Sequence, residues 1–189
     1  MKKTFLLASI LFISVVSTAC INNFAVQELN NKAKEFMDKG DYISAIERLK
    51  SSVDLDDTVF ETQYNLAVAY TKAEDYVNAV KTYNTVIDIN PDFADSYYSL
   101  AVCEENLLKD IIAGELIVNE DGSISKNESK NDEIAKVDVI ENAVVDKIRE
   151  LVNDSKLNYQ IYVDKSGDLS FDYAGKSEEL DSLLAKYAK

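Results

Sequence analysis

Two segments of this chain repeat each other 34 residues apart, and this offset constrains the fold more than any other feature. The matched positions are small, acidic, aromatic or aliphatic in both segments: Ala33 and Ala67, Phe36 and Tyr70, Asp41 and Asp75, Tyr42 and Tyr76, Ala45 and Ala79, Leu49 and Tyr83. A period of about 34 residues with small and aromatic residues at fixed places predicts an array of helix–turn–helix units. Such units stack to bury their apolar faces, and the concave surface that results usually binds another protein.

Local signals predict where the helices of each unit begin and end. Gly40 can take the left-handed conformation that ends a helix, and Asp41 can cap the helix that follows. Asp75 occupies the same place in the second unit, and Pro91 closes that unit just after a helix has ended. The predicted repeat region covers residues 26–113, as units 26–59 and 60–93 and a partial third unit from residue 94.

These residues resemble the tetratricopeptide repeat (TPR), which combines a Leu, a small residue, two aromatics, a central Ala and a closing Pro. The second unit matches almost throughout, at Leu66, Ala67, Tyr70, Ala79, Tyr83 and Pro91. The first unit departs from the pattern at Lys32 and Asp57, and the third has Glu104 where an aromatic belongs. The resemblance covers residues 26–109 and implies a mainly α fold, a TPR-type α-solenoid.

The resemblance also implies a binding surface, because the first helix of each TPR unit lines the concave groove. The positions that would face this groove are Asn30, Lys34, Met37, Tyr64, Asn65, Val68, Lys72, Tyr98, Val102 and Glu105. Tyr64 and Tyr98 offer the amphipathic contact area that is enriched at binding hot spots, although both could equally be packing tyrosines. Family members that grip a C-terminal carboxylate use an Asn at the place of Asn65, together with basic residues in the third unit. This chain has Asp95 and Ser99 there, so a carboxylate clamp is not expected.

The first twenty residues have the pattern of an export signal. A basic start is followed by an apolar run, Phe5–Val16, and by small residues before Cys20. The apolar run is shorter than the ~20 residues that a membrane span needs. The segment resembles the lipobox of bacterial lipoproteins, in which the residue matching Cys20 is acylated, although Ser17 stands where Leu is usual. An ordinary signal peptide with a cysteine near the cut is the alternative.

The N-terminal segment thus predicts a signal peptide over residues 1–19, a lipidated Cys20 and a linker over residues 20–25. Ile21 follows the cysteine, which, by resemblance to Gram-negative lipoproteins, permits the outer membrane. The second cysteine, Cys103, lies on a predicted helix with Leu100 and Leu107, and we expect it to be a packing residue.

Composition excludes several classes of function. The chain has no His, so it can form neither a Ser/His or Cys/His nucleophile pair nor a His-based zinc site. Its net charge is −14, and loss of Lys2 and Lys3 with the leader leaves 18 basic against 34 acidic residues, or −16. Such a surface repels nucleic acid. The acidic residues either keep the protein soluble or attract a basic protein partner.

The tail over residues 114–189 has a different pattern. Leu116–Val118 and Ser123–Ser125 flank Asp121-Gly122 and predict a hairpin. An amphipathic helix is predicted over residues 133–153, and it would be the displaced second helix of the third repeat. Apolar alternation then predicts a second hairpin, Leu157–Val163 and Leu169–Tyr173, that pairs with the first in a small sheet, followed by a helix over residues 177–187.

The predicted turn of the second hairpin is Lys165–Asp168. Together with the residue before it, this turn gives the run Asp164-x-Ser166-Gly167-Asp168. This run either only forms the turn or also binds calcium, although it lacks the acidic series and the closing Glu of a calcium loop.

The sequence therefore predicts a TPR-type array with a small C-terminal α+β cap of two hairpins and helices. The function that fits best is a lipid-anchored scaffold of the bacterial envelope that binds a protein partner through its groove. The alternative is a surface-exposed ligand-binding lipoprotein that acts through the C-terminal sheet. We expect no enzyme activity, cofactor, metal or small-molecule substrate.

Overall fold

The computed structural model describes residues 23–119, 121–127 and 142–187. Contact density divides the chain into two compact units, a first unit of Met1–Ala73 and a second unit of Glu74–Lys189. These compact units differ from the 34-residue repeats of the sequence. The predicted signal peptide and Cys20 lie outside the described residues, as does the first part of the predicted helix 133–153.

The described residues are mostly helical. Helix α1 covers residues 23–38, so residues 23–25 of the predicted linker are already helical. The elements that follow are α2 (Tyr42–Leu55), α3 (Phe60–Lys72), α4 (Tyr76–Ile89), α5 (Ala94–Ile112), β1 (Leu116–Val118), β2 (Ile124–Lys126), α6 (Asn142–Ser166) and α7 (Tyr173–Tyr187). Helices α4 and α5 begin 34 residues after α2 and α3, so the structure keeps the period of the sequence.

The two predicted helix boundaries form by similar backbone geometry. Gly40 has φ +75°, and Glu74, at the same place in the next 34-residue repeat, has φ +59°. The carboxylate of Asp41 accepts the Ser44 backbone N–H at 3.1 Å, and that of Asp75 accepts the Asn78 N–H at 3.2 Å. Both aspartates therefore cap the helix that follows, as predicted.

The core of the first unit lies between α1, α2 and α3. Its buried members are small or aliphatic: Ala33, Ala45, Leu49, Leu66 and Ala69. Partly buried Phe36, Met37, Ile46, Val53 and Tyr70 pack around them. Ala33 and Ala45 are almost completely buried, as expected where helices approach closely.

The core of the second unit is built on α5, against which both α4 and α6 pack, while α7 covers α6. It contains Ala101, Leu107, Leu108, Ile111, Val118, Ile148, Leu151, Val152, Tyr159 and Leu180. Cys103 is completely buried, as predicted for a packing residue. Strands β1 and β2 pair antiparallel with Val118 opposite Ile124, which confirms the first predicted hairpin.

The predicted second hairpin is wrong, because its first strand is the C-terminal part of α6 and its turn ends that helix. Ser155 and Tyr159 continue the buried face that begins at Ile148, with helical spacing. Gly167 has φ +67° and donates its N–H to the Val163 carbonyl at 3.0 Å. A glycine in this conformation ends a helix. Glycine is also typical of hairpin turns, so Gly167 alone does not distinguish the two structures.

The second half of the predicted hairpin is also not a strand. Helix α7 begins at Tyr173, before the predicted start at residue 177, and it ends at Tyr187 as expected. Among the described residues the sheet is therefore limited to β1 and β2. The small sheet of two paired hairpins is not formed.

Candidate functional site

Seven of the ten predicted groove residues lie in the first unit, on α1 and α3. By helical spacing, Asn30, Lys34 and Met37 share one stripe of α1, and the remaining four share one stripe of α3: Tyr64, Asn65, Val68 and Lys72. Both helices belong to the same compact unit, and the Asn30 side chain joins them directly.

Asn30 is a structural bridge within the first unit. Its amide nitrogen lies 2.9 Å from the Val26 carbonyl oxygen, 2.9 Å from Ser52 Oγ and 2.8 Å from Thr62 Oγ1. Ser52 and Thr62 are completely buried. The bonds to Ser52 and Thr62 tie α1 to α2 and α3, so the amide nitrogen of Asn30 helps to hold the helices in place.

The other residues on the two stripes are open to solvent to different degrees. Lys34 and Lys72 are exposed, whereas Met37, Tyr64 and Val68 are half-buried. Tyr64 stacks on Phe60 one turn earlier in α3, with ring centroids 6.1 Å apart and planes at 11°. This stacking limits the rotamers of Tyr64, so the ring offers contact area at a reduced entropic cost.

Tyr98, on α5 of the second unit, lies in an aromatic cluster that the sequence did not predict. Its ring centroid is 5.7 Å from that of Tyr159, 5.1 Å from that of Tyr162 and 5.9 Å from that of Phe171. Edge and tilted contacts of this kind each contribute about 0.5–1.5 kcal/mol beyond burial. Tyr98 nevertheless keeps 40% of its surface exposed.

Glu105, another predicted groove residue, is 5% exposed and bonds within its unit. It accepts the Tyr159 hydroxyl at 2.6 Å, and the Lys176 ammonium lies 3.4 Å from the carboxylate. Burial, followed by the bond to Glu105, raises the pKa of Tyr159, which therefore remains a donor. Val102 packs against the core of the same unit.

The neighbouring Glu104 also faces α6, where the sequence pattern would place an aromatic. Asn158 donates its amide to both carboxyl oxygens, at 3.1 and 2.9 Å. Burial, with the nearby charges of Asp154 and Glu150, raises the pKa of Glu104 to about 8. Glu104 is therefore mostly protonated at neutral pH, which makes its burial against α6 possible.

The acidic run near the end of α6 is occupied by local hydrogen bonds. Asp164 accepts from the Gln160 side chain at 2.9 Å, and Asp168 accepts from the Ser170 backbone N–H at 2.9 Å. Within the described parts of the chain, no three side chains of the metal-ligating types come together. Likewise, no helix in these parts is both long and apolar enough to cross a bilayer.

Comparison with known proteins supports the repeat fold. Residues 60–93 match the family model of the tetratricopeptide repeat, over the span of the predicted second unit. The first TPR domain of Spaghetti (RPAP3), solved with the HSP90 peptide SRMEEVD, is similar with a TM-score of 0.56 at 14% identity. This match covers 85% of our chain and 93% of that one.

Two further solved structures agree. The second TPR domain of human RPAP3, in complex with an HSP70 peptide, has a TM-score of 0.54 at 14% identity and covers 89% of our chain and 98% of its own. The Sgt2 TPR domain from Aspergillus fumigatus has a TM-score of 0.52 at 11% identity, with coverages of 85% and 78%. No curated protein matches the chain at a significant level. The fold is thus that of a TPR-type helical repeat, followed by a small hairpin and two further helices.

The ten predicted groove residues therefore differ in their surroundings. Asn30 and Glu105 make hydrogen bonds inside their own units, while Lys34 and Lys72 are exposed and Tyr98 joins an aromatic cluster. Their assignment to a binding groove stays a prediction. Sequence reasoning missed the partners of α5, namely Asn158, Tyr159, Tyr162 and Phe171, because it placed them in a hairpin.

Proposed function

We propose that this protein is a lipid-anchored scaffold of the bacterial envelope and that it binds a protein partner through the exposed stripes of its repeat helices. The TPR-type fold supports protein binding because stacked helix pairs present extended surfaces of this kind. The N-terminal pattern that ends at Cys20 supports the anchor. The high negative charge favours a basic partner over nucleic acid.

One observation carries the assignment of the surface. In the first unit, Tyr64 is half-buried and is held by stacking on Phe60. Val68 and Lys72 follow on the same stripe of α3 at spacings of one turn. Tyrosine is one of the residue types enriched at protein-binding hot spots, and Val68 and Lys72 extend the surface along α3 from the Tyr64 ring.

The chemistry of the partner differs from that of the peptides in the two RPAP3 complexes, which end in Glu-Val-Asp. In our chain the third repeat has an exposed Asp95 and a half-buried Ser99 where a carboxylate clamp would need basic residues. A peptide with a free carboxylate beside Asp95 would meet a like charge, which costs affinity. The partner is therefore proposed to lack an acidic C-terminal motif.

Site-specific photo-crosslinking in intact cells tests the surface. A benzophenone amino acid at Lys72 should give a crosslinked adduct, and the same group at Lys50, which is exposed on α2, is the matched control. In the chain that carries benzophenone at position 72, the substitution Tyr64→Ala should remove the adduct. It should do so without loss of helicity, because the contact area is on the surface. Equal adducts at both positions, or an adduct that survives Tyr64→Ala, would contradict the proposed surface.

The anchor is tested separately. Cys20→Ser should abolish incorporation of labelled fatty acid and either release the protein into the soluble fraction or leave an uncut precursor. A single acyl chain gives only marginal membrane binding, so a stable anchor needs more than one. Acyl labelling that persists in the variant would show that Cys20 is not the attachment site.

The alternative function through a C-terminal sheet loses its structural basis. The segment that would complete that sheet forms the end of α6 and the start of α7. Only the short pair of β1 and β2 is present among the described residues, and we do not carry this alternative further.

A further inference from the structure

The second unit has an aromatic and aliphatic patch that is distinct from the α1 and α3 stripes. It consists of Tyr98, Tyr162, Leu169 and Phe171, from α5, α6 and the loop that joins α6 to α7. Tyr162 and Phe171 contact edge to face at 5.8 Å, and both rings also contact Tyr98. We call these four residues the aromatic patch.

Leu169 is the unusual member of the aromatic patch. It lies two residues before Phe171 and is 95% exposed, the highest value among the large hydrophobic side chains of the described residues. Covering a leucine that is so open to water is among the larger gains that one side chain can give on binding. Tyr98, whose ring contacts that of Phe171, is also 40% exposed, so the aromatic patch has two large side chains that stay open to water.

Two carboxylates border the aromatic patch. Asp168 accepts the Tyr162 hydroxyl at 3.0 Å. Hydrogen bonds from Ser170 lower the pKa of Asp168, so it is ionised at neutral pH. Asp95 lies one turn before Tyr98 on α5, and its charge also acts on the Tyr162 hydroxyl, whose pKa is raised mainly by the bond to Asp168.

The basic side chain that follows Tyr162 on α6, Lys165, is already paired. Lys165 is one turn after Tyr162, and its ammonium lies 3.1 Å from Asp92 and 5.7 Å from the centre of the Tyr97 ring. The border of the aromatic patch is therefore negative, while the faces of its rings are attractive to cations.

We propose that the aromatic patch is a docking surface for a partner protein segment that carries Lys or Arg next to aliphatic or aromatic side chains. The apolar side chains cover Leu169 and Tyr98, and the cationic groups pair with Asp95 and Asp168. A second copy of this chain is a poor occupant, because its net charge is −14. An anionic lipid surface is disfavoured by the same carboxylates. This proposal does not depend on the function assigned to α1 and α3.

A random dodecapeptide library displayed on phage, selected on the immobilised full chain, is the probe. The enriched peptides are expected to combine a net positive charge with apolar residues, and their affinity should fall as salt rises. In fluorescence anisotropy, Leu169→Ser should weaken binding of an enriched peptide by about tenfold or more. Asp95→Asn should weaken it less and reduce the salt dependence.

Leu157→Ser is the matched control, since Leu157 is 58% exposed and lies on a different side of α6 from Tyr162. It should leave the affinity unchanged, and both leucine variants should melt like the parent because neither side chain is buried. Equal affinities of the Leu169→Ser and Leu157→Ser variants overturn the proposal, as does enrichment of neutral or acidic peptides only.

Three further outcomes would assign the surface elsewhere and overturn the proposal. Loss of binding in Tyr64→Ala but not in Leu169→Ser would place the peptide on α3. Sedimentation that shows self-association removed by Leu169→Ser would make a second copy the occupant. Flotation with phosphatidylglycerol vesicles that is removed by the same change would make it a membrane.

Discussion

The buried carboxyl of Glu104 makes the stability of the second unit depend on pH, and Glu104→Gln should remove this dependence. Glu104 is 5% exposed, and its pKa is raised from 4.5 to about 8 in the folded chain, first by burial. The folded state therefore keeps a proton that the unfolded state releases above pH 4.5. The contribution of Glu104 to stability is greatest below that pH and decreases as pH rises toward 8.

The size of the effect follows from the shift. One pKa unit corresponds to about 1.4 kcal/mol, so the stability of the parent relative to Glu104→Gln should fall by about 3 kcal/mol between about pH 4.5 and 7, and by about 5 kcal/mol in all by about pH 9. The glutamine side chain of the variant cannot ionise, and its carbonyl can still accept the Asn158 amide. The variant should match the parent at the acidic end of this range and exceed its stability increasingly as pH rises.

Urea unfolding followed by circular dichroism at a series of pH values measures the difference. Glu178→Gln, an exposed change on α7, is the control and should follow the parent curve. Carboxyl NMR of the folded chain should find one glutamate that titrates near pH 8 and is absent in Glu104→Gln. Parallel stability curves for the parent and Glu104→Gln would refute the reasoning, because Glu104 would then be ionised in the folded state.

Three other predictions concern the repeats. Glu74→Gly should stabilise the chain by about 1 kcal/mol in a thermal melt, since glycine accepts φ +59° without strain. Gly40→Ala should destabilise it by a similar amount. A Glu74→Gly variant that melts lower than the parent, or a Gly40→Ala variant that melts higher, would contradict the boundary geometry. Ala79→Leu should cost about 1–3 kcal/mol, because Ala79 is completely buried; a melt equal to that of the parent would show that the site has room. A peptide that ends in Glu-Glu-Val-Asp should not bind measurably by calorimetry, because Asp95 and Ser99 replace basic residues; binding at micromolar affinity would contradict this.

The repeats could be predicted from the sequence because several local signals agree there. The helix caps Asp41 and Asp75 and the buried alanines recur at one period, and Gly40 marks the first helix boundary. Each signal depends on residues close in the chain, so one sequence is enough to read it. The first hairpin was predictable for the same reason, from Asp121-Gly122 between two short apolar runs.

The C-terminal part of α6 could not be predicted, because its buried face is interrupted by a polar residue. Ser155 is completely buried between Val152 and Tyr159, and Leu157 is exposed. The apolar periodicity of a helix therefore fades after Val152, and the alternation that remains resembles a strand. Tertiary packing on α5 decides the conformation of this segment, and local pattern does not report it.

The polar contacts between α5 and α6 explain how such a helix finds its place. A short turn usually sets the register of paired helices, but here β1, β2 and further residues separate Ile112 from Asn142. Glu104 bonds to Asn158, and Glu105 bonds to Tyr159, each 54 residues further along the chain. A slip of α6 by one turn would take Asn158 away from Glu104 and Tyr159 away from Glu105, and each lost hydrogen bond to a buried carboxyl group costs about 1–3 kcal/mol. These two pairs thereby favour a single register, and that register brings Tyr162 against Tyr98 and places the aromatic patch at the end of the helix.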